Sequence, residues 1–145
     1  MAFTYRHPRP ALTTDAVIFS ENTSELRILL IQRNNPPFQG YWAFPGGFVE
    51  MDETLEYCAN RELKEEAGLQ NIKLNQFRTY GAVNRDPRGR TVSVVYYGFA
   101  NPAKVKIYAD DDAAAAQWFP INYLPMLAFD HKEILDDLLS YLKLR

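Results

Sequence analysis

Three glutamates, Glu62, Glu65 and Glu66, lie close together in a stretch from Gly46 to Leu69 that holds seven acidic and two basic residues. If the stretch is helical, with about 100° of rotation per residue, the three carboxylates fall within about 100° of arc on one face. Carboxylate oxygens that converge in this way are the ligands that hard divalent cations prefer. The spacing therefore predicts either a metal-binding face or a solvated charged face.

Basic residues in the same stretch do little to balance this charge. Lys64 has no acidic residue three or four positions away, and only Arg61 can reach Glu65. Like charges four residues apart destabilise a helix by roughly a few tenths of a kcal/mol per pair, and a solvated helix surface usually interleaves cations with its acids. We therefore expect a compensating cation from outside the segment, although the spacing alone leaves both interpretations open.

The residues around the acids resemble the Nudix box, G-x5-E-x7-R-E-U-x-E-E-x-G-U, where U is an aliphatic residue. Every defined position is matched, by Gly47, Glu53, Arg61, Glu62, Leu63, Glu65, Glu66, Gly68 and Leu69. The preceding YWAFPGGFVE resembles the family's usual approach to the box. The resemblance implies an α/β fold of Nudix type, an α/β/α sandwich with a mixed β-sheet. It also implies hydrolysis of a nucleoside diphosphate linked to another group.

By carry-over onto the matched positions, the resemblance implies a divalent metal cofactor, Mg²⁺ or Mn²⁺. Glu65 and Glu66 are the expected principal ligands, and Glu62 is either a further ligand or the base that takes a proton from water. A backbone carbonyl of Gly46 or Gly47 could face the same ion, where a side chain would obstruct its approach. Such an ion neutralises phosphate oxygens and lowers the pKa of bound water.

Two other charged residues of the box are expected to act through their neighbours. The resemblance implies that Arg61 orients a glutamate and that Glu53 holds the loop or Arg61 in place. Both are catalytic candidates together with Glu62 and Glu65, and a structural ion pair is the alternative for Arg61 and Glu53. Many family members supply a further acid from outside the box, but the position where some carry it holds Gln117 here. The general base therefore stays open between Glu62 and the run Asp110–Asp112, which could also be a solvated turn.

A second informative segment is the loop NRDPRGR, which carries Arg85, Arg88 and Arg90. Planar guanidinium groups match pairs of phosphate oxygens, so this loop could bind phosphates or a ribose–phosphate edge; a basic hairpin tip is the alternative. The segments RDPRGRTVSVVYYGF and WFPINYLPMLAFDHKEIL resemble ADP-ribose pyrophosphatases and the sensor domains of NAD-metabolism regulators. In that group ADP-ribose is cut to AMP and ribose 5-phosphate.

Aromatic side chains near these segments could stack on adenine. The candidates are Phe38, Tyr41, Phe48 and Tyr96, of which we predict Phe48 and Tyr96 as substrate-binding residues; packing in the core or on the surface is the alternative for each. His131 follows a predicted helix cap and is expected to be structural, with substrate contact as its alternative.

Three functions are compatible with these residues. We predict Mg²⁺-dependent hydrolysis of ADP-ribose to AMP and ribose 5-phosphate. The alternatives are a pool-sanitising pyrophosphohydrolase of nucleoside triphosphates and a domain that senses ADP-ribose without turnover. Sensors of this type often lose residues of the box and carry a winged helix after it. This chain keeps the whole box and stops at Arg145, which favours an enzyme.

The elements that position these residues are predicted from apolar runs and breakers. Strands are expected at Thr13–Phe19, Leu26–Gln32, Ile72–Val83 and Thr91–Ala100. A helix is expected over Thr54–Ala67 and ends at Gly68. Gln117–Phe119 reads as a short strand after a turn KIYADDDAAAA, whose alanines could also be helical. Asp130 and Glu133 predict a capping box that opens a final amphipathic helix, which completes an α/β layered domain.

Composition limits the remaining possibilities. The 145 residues are 47% hydrophobic and 23% charged, and this length predicts one domain over 1–145. The net charge is −2, so there is no basic excess to neutralise phosphates and we expect no nucleic-acid partner. The apolar runs are too short to span a bilayer and the amino terminus lacks the apolar region of a signal peptide. Together with the single cysteine, this predicts a cytoplasmic protein without membrane association. Homodimers are frequent among similar proteins, but no interface can be read from the sequence.

Overall fold

The computed structural model describes residues 2–109 and 113–144. The elements follow one another in the order β1 (Ala11–Ser20), β2 (Arg27–Arg33), β3 (Trp42–Ala43), β4 (Gly46–Phe48), α1 (Leu55–Ala67), β5 (Asn75–Tyr80), β6 (Thr91–Ala100), β7 (Ala113–Pro120) and α2 (His131–Leu142). Strands interspersed with two helices make this an α/β protein.

The strands form one mixed sheet, in which β1 runs parallel to β6 and the other named strands pair antiparallel. The strand order is β3-β2-β1-β6-β5, with β7 paired to β2 and β4 paired to β1. β1 pairs with β2 at Phe19 and with β4 at Thr13–Asp15, so it changes its antiparallel partner along its length. This change brings β4, with Gly46 and Gly47, between β1 and the adjacent helix α1.

Side chains of β1 alternate between two hydrophobic cores, as expected for a strand that is buried on both faces. Ile18 packs with Leu63 of α1 on one face of the sheet. Phe19 packs with Leu135 and Leu139 of α2 on the other face. The predicted arrangement of a mixed sheet between helices is therefore confirmed.

Local signals account for the limits of α1. The N-cap hydroxyl of Thr54 accepts a hydrogen bond from the backbone N–H of Tyr57, and Gly68 ends the helix in the left-handed conformation at φ 75°. A side chain at Gly68 would also collide with the ring of Tyr108. The helix thus spans the range that the sequence predicted. None of the helices in the described ranges is long and apolar enough to cross a bilayer.

The predicted capping box of α2 is wrong. Asp130 occupies the N-cap position, but its side chain makes no capping hydrogen bond. Its carboxylate instead accepts two hydrogen bonds from Arg85, at 2.8 Å from Nε and 2.7 Å from Nη2. An ion pair with a distant arginine has replaced the local cap, and it ties the start of α2 to the loop before β6.

Two predictions for the strands are also corrected, and two short strands were missed. The alanines before Gln117 belong to β7, because their backbones pair with β2 and this pairing overrides the helix preference of alanine. β5 covers only Asn75–Tyr80 of the predicted Ile72–Val83. β3 and β4 were not predicted, because strands of two and three residues carry no alternating pattern of their own.

Candidate functional site

A cavity of about 500 Å³ opens at the end of the sheet where β1 changes partner. It is lined from one side by α1 and β4 and from the other side by the loop before β6 and the start of α2. The predicted site residues in its lining are Gly46, Phe48, Arg61, Glu62, Glu66, Arg85 and Arg88. The predicted residues outside the lining are Glu53, Glu65, Arg90 and Tyr96.

Arg61 is the centre of the acidic cluster. Its guanidinium donates hydrogen bonds to Glu53 Oε1 at 2.7 Å and Oε2 at 2.9 Å. It also donates to Glu62 Oε1 at 2.8 Å and to Glu65 Oε2 at 3.2 Å. The bonds from Arg61 lower the pKa of Glu53 to about 2. The geometry therefore supports a role for Arg61 in orienting the glutamates, with Glu53 as its anchor.

Glu66 is held by the backbone of β4. Its Oε1 accepts a hydrogen bond of 2.7 Å from the N–H of Gly46, and burial raises the pKa of its carboxyl group to about 8. Burial also raises the pKa of Glu62. A Cβ at Gly47 would collide with the carboxylate of Glu62. Gly47 therefore allows β4 to lie directly against the acidic face of α1, whereas Gly46 allows it to lie against Thr14 and Asp15 of β1.

The donors on this wall suit a hard divalent cation. Glu62 and Glu66 offer carboxylate oxygens to one cavity, beside the peptides of Gly46 and Gly47. Within residues 2–109 and 113–144, no three His, Cys, Asp or Glu side chains form a complete metal cluster. Mg²⁺ suits such an incomplete set, because it is usually held by one or two carboxylates together with substrate phosphates and water. The predicted acids Asp110–Asp112 lie outside the described residues.

Arg85 lies on the floor of the cavity with its donors engaged. Its side chain is 5% exposed and pairs with Asp130 through two hydrogen bonds. A third bond of 2.7 Å runs from Nη1 to Ser93 Oγ. These contacts make Arg85 a brace between β6 and α2 in this structure rather than a freely presented phosphate ligand.

Arg88 is the arginine of the loop that faces the cavity. Its guanidinium lies 4.8 Å from the ring centroid of Phe48 and 5.0 Å from that of Phe129, and it pairs with Asp86 at 2.8 Å. Arg90 is exposed outside the cavity lining. Of the three predicted arginines, Arg88 is therefore the best placed to reach a ligand.

The two predicted aromatic residues differ in position. Phe48 is 45% exposed at the edge of the cavity, next to Arg88. Tyr96 is 1% exposed and packs under α1, with its hydroxyl donating to Glu56 Oε1 at 3.2 Å. A ring without an open face cannot stack on adenine, so Tyr96 is withdrawn as a binding residue. Sequence reasoning missed Phe129, which lies in the cavity lining.

The sequence did not lead us to predict Asp15 as a site residue, nor that His131 lies beside it. Asp15 is buried in β1, and burial raises the pKa of its carboxyl group to about 7. His131 Nε2 lies 3.9 Å from Asp15 Oδ1, and burial lowers the pKa of His131 to about 3, so the ring is neutral. A charged residue in the middle of the apolar run TTDAVIF was the signal that could have identified Asp15.

Comparisons with known proteins agree with this geometry. The profile of the NUDIX domain matches residues 9–138. The chain is 42% identical over 137 residues to an ADP-ribose pyrophosphatase from Methanocaldococcus jannaschii, covering 94% of this chain and 76% of the relative. It is 40% identical over 135 residues to the ADPR responsive transcriptional repressor NtrR from Acinetobacter baylyi, covering 89% of this chain and 53% of that regulator.

A solved structure shows the same fold. The NUDIX domain of Shewanella oneidensis NrtR, crystallised with ADP ribose, has a TM-score of 0.85 and 32% identity, covering 94% of this chain and 90% of that chain. The matched span 9–138 includes both walls of the cavity. The chain therefore belongs to the Nudix family, as the spacing of its glutamates and glycines had predicted.

Proposed function

We propose that this protein is a Nudix hydrolase that cuts ADP-ribose to AMP and ribose 5-phosphate, with Mg²⁺ as its metal and Mn²⁺ as a substitute. The observation that carries the proposal is one cavity that brings unlike groups together. Glu62 and Glu66 of α1 lie on one wall with Phe48 of β4, and Arg88 lies on the other wall. A diphosphate between two sugars needs both, because its phosphates need cations and its base needs an aromatic face. The similarity to an ADP-ribose pyrophosphatase supports the same substrate.

The acidic wall would hold the metal. Nudix hydrolases generally use a divalent metal, which neutralises phosphate oxygens and lowers the pKa of bound water. Glu65 and Glu66 would be its principal ligands, and Glu62 would be either a further ligand or the group that accepts the proton of the attacking water. Arg61 keeps Glu62 and Glu65 in place, since it already donates to both.

Arg88 and the aromatic rings beside it would bind the rest of the substrate. Arg88 lies between the rings of Phe48 and Phe129, so its position is set before a ligand arrives. Its Nε and Nη2 donate to Asp86, so Nη1 and the second N–H of Nη2 are left to bind phosphate oxygens with little loss of side-chain entropy. Phe48 keeps much of its ring open for a base.

A second candidate function is the sensing of ADP-ribose without turnover. It is favoured by the 40% identity to a transcriptional repressor that responds to ADPR. It is opposed by the complete box, because sensors of this type often lose residues of the box. The two functions differ in the fate of the ligand: a sensor would bind ADP-ribose and leave it intact.

The deciding experiment is incubation of the protein with ADP-ribose, with Mg²⁺ or with EDTA, and chromatography of the products. We expect AMP and ribose 5-phosphate only with the metal. Glu66→Gln should lower kcat by at least about 100-fold without unfolding the protein. Glu133→Gln, an exposed glutamate on α2, is the matched control. Tight binding without AMP release would favour the sensor, and release of pyrophosphate from a nucleoside triphosphate at a higher rate would favour pool sanitation.

A further inference from the structure

We propose that Asp15 and His131 form a subsite for a hydroxyl group of a ribose that is joined directly to the diphosphate of the substrate. The nature of the ligand rests on the proposed function. The subsite adds recognition of the sugar, which the residues of the Nudix box do not provide.

Asp15 is a carboxylate without a partner. Its side chain is 11% exposed and lies in the cavity lining, and no described residue donates a hydrogen bond to it. Burying its charged form is costly unless that form is paired or hydrogen-bonded, and for this reason burial raises its pKa to about 7. Buried polar groups in native proteins almost always have a partner, so an exception calls for one from outside the chain.

His131 places a hydrogen-bond donor next to Asp15, in the lining of the same cavity. Its Nδ1 accepts a hydrogen bond of 3.1 Å from the N–H of Phe44, so the proton of the neutral ring lies on Nε2. The ring stacks on Phe44 with centroids 4.5 Å apart and planes 16° apart, which fixes its orientation. Nε2 lies 3.9 Å from Asp15 Oδ1, beyond the reach of a direct hydrogen bond.

A hydroxyl group satisfies both atoms. Two hydrogen bonds of about 2.8 Å can span this gap and meet at the hydroxyl oxygen at about 90°. The hydroxyl donates to Asp15 and accepts from His131, which matches its one proton and two lone pairs. A phosphate oxygen would be repelled by Asp15, and a metal ion would meet the N–H of His131. A water molecule can bridge the same atoms, and a sugar hydroxyl that reproduces its bonds can displace it.

The position of the subsite indicates which sugar hydroxyls can reach it. Asp15 lies opposite Gly46 in the pairing of β1 with β4, and the N–H of Gly46 binds Glu66. The subsite is therefore one strand away from the acidic wall. A ribose attached to the diphosphate through its 5′ carbon can reach from one to the other. Both riboses of ADP-ribose are attached in this way.

The test is calorimetry in EDTA with three ligands. These are ADP-ribose, its analogue without the 2′ and 3′ hydroxyls of the adenosine, and an ADP ester of a simple alcohol that lacks the second ribose. Asp15→Asn should weaken the binding of ADP-ribose about tenfold, the usual value of one hydrogen bond to a charged group. One of the two analogues lacks the hydroxyl group that the subsite binds. That analogue should bind the wild type about tenfold more weakly than ADP-ribose does, and Asp15→Asn should not change its affinity. Asp137→Asn, whose carboxylate accepts a bond from Tyr80 outside the cavity, is the control.

Three results would overturn the subsite. The first is equal affinity of the wild type and Asp15→Asn for ADP-ribose. The second is a change in affinity in Asp15→Asn that is the same for all three ligands. The third is that both analogues bind the wild type as tightly as ADP-ribose does. The last comparison needs no variant, so it decides the question even if Asp15→Asn does not fold. His131→Phe keeps a stacking ring and should show the same selective loss. AMP release by the wild type with Mg²⁺ is judged separately, because a protein that binds without turnover would refute the enzyme and leave the subsite standing.

Discussion

Replacing Gly47 by alanine would test whether β4 positions the acidic wall. The new Cβ would lie 2.6 Å from Cδ and 2.9 Å from Oε2 of Glu62, whereas ordinary contacts begin at 3.4 Å. The carboxylate must therefore move by about 0.8 Å, the difference between 3.4 and 2.6 Å, and its 2.8 Å bond from Arg61 would be disturbed. A misplacement of about 1 Å can slow a reaction about 100-fold, or about 2.7 kcal/mol of activation free energy.

The assay for this change is kcat for AMP release from ADP-ribose at saturating Mg²⁺. We expect a loss of about 100-fold in Gly47→Ala with little change in thermal stability, because Gly47 has no positive φ angle that alanine would strain. Gly81→Ala is the matched control, since its Cβ would meet no atom closer than 3.9 Å, and it should keep the wild-type kcat. If Gly47→Ala retained kcat within about threefold of the wild type, the contact between β4 and Glu62 would have no catalytic role.

Two further predictions concern charged residues, one in the acidic cluster around Arg61 and one in the arginine loop. Glu53 has a folded pKa of about 2 against an ordinary value of 4.5, so the stability it contributes is complete above pH 4.5 and is lost as the pH falls toward 2. Urea unfolding therefore gives a test at pH 6 and at pH 3. The unfolding free energy of the wild type should exceed that of Glu53→Gln by less at pH 3 than at pH 6. An equal difference at both pH values would contradict the ion pair with Arg61. Arg88→Ala should raise KM for ADP-ribose about tenfold with kcat little changed, whereas Arg90→Ala, outside the cavity, should leave both unchanged. Equal effects of the two arginine variants on KM would remove Arg88 from the binding wall.

The acidic helix could be predicted closely because its signals are local. The cap at Thr54, the stop at Gly68 and the spacing of the glutamates all lie within the segment that they describe. The family was recognised from the same residues and was confirmed over most of the chain. The homodimer and the cytoplasmic location stay predictions, because both depend on the surroundings of the chain.

The errors concern residues whose partners are distant in sequence. Asp130 resembled a helix cap, but Arg85, 45 residues away, binds its carboxylate. Tyr96 resembled a stacking residue, but the face of β6 that carries it packs under α1. Neither outcome can be read from neighbouring residues, since the faces of a strand are assigned by what packs against them.

By itself, the sequence indicated the type of chemistry, because its acids, glycines and arginine match the Nudix box and that resemblance implies metal-assisted hydrolysis of a diphosphate. Only the tertiary structure decided which side chains share the cavity. Asp15, Gly46 and His131 meet because β1 changes partner from β2 to β4 and α2 packs across the opposite face of the sheet. Such long-range pairing depends on the burial of whole strands and helices, and no short motif encodes it.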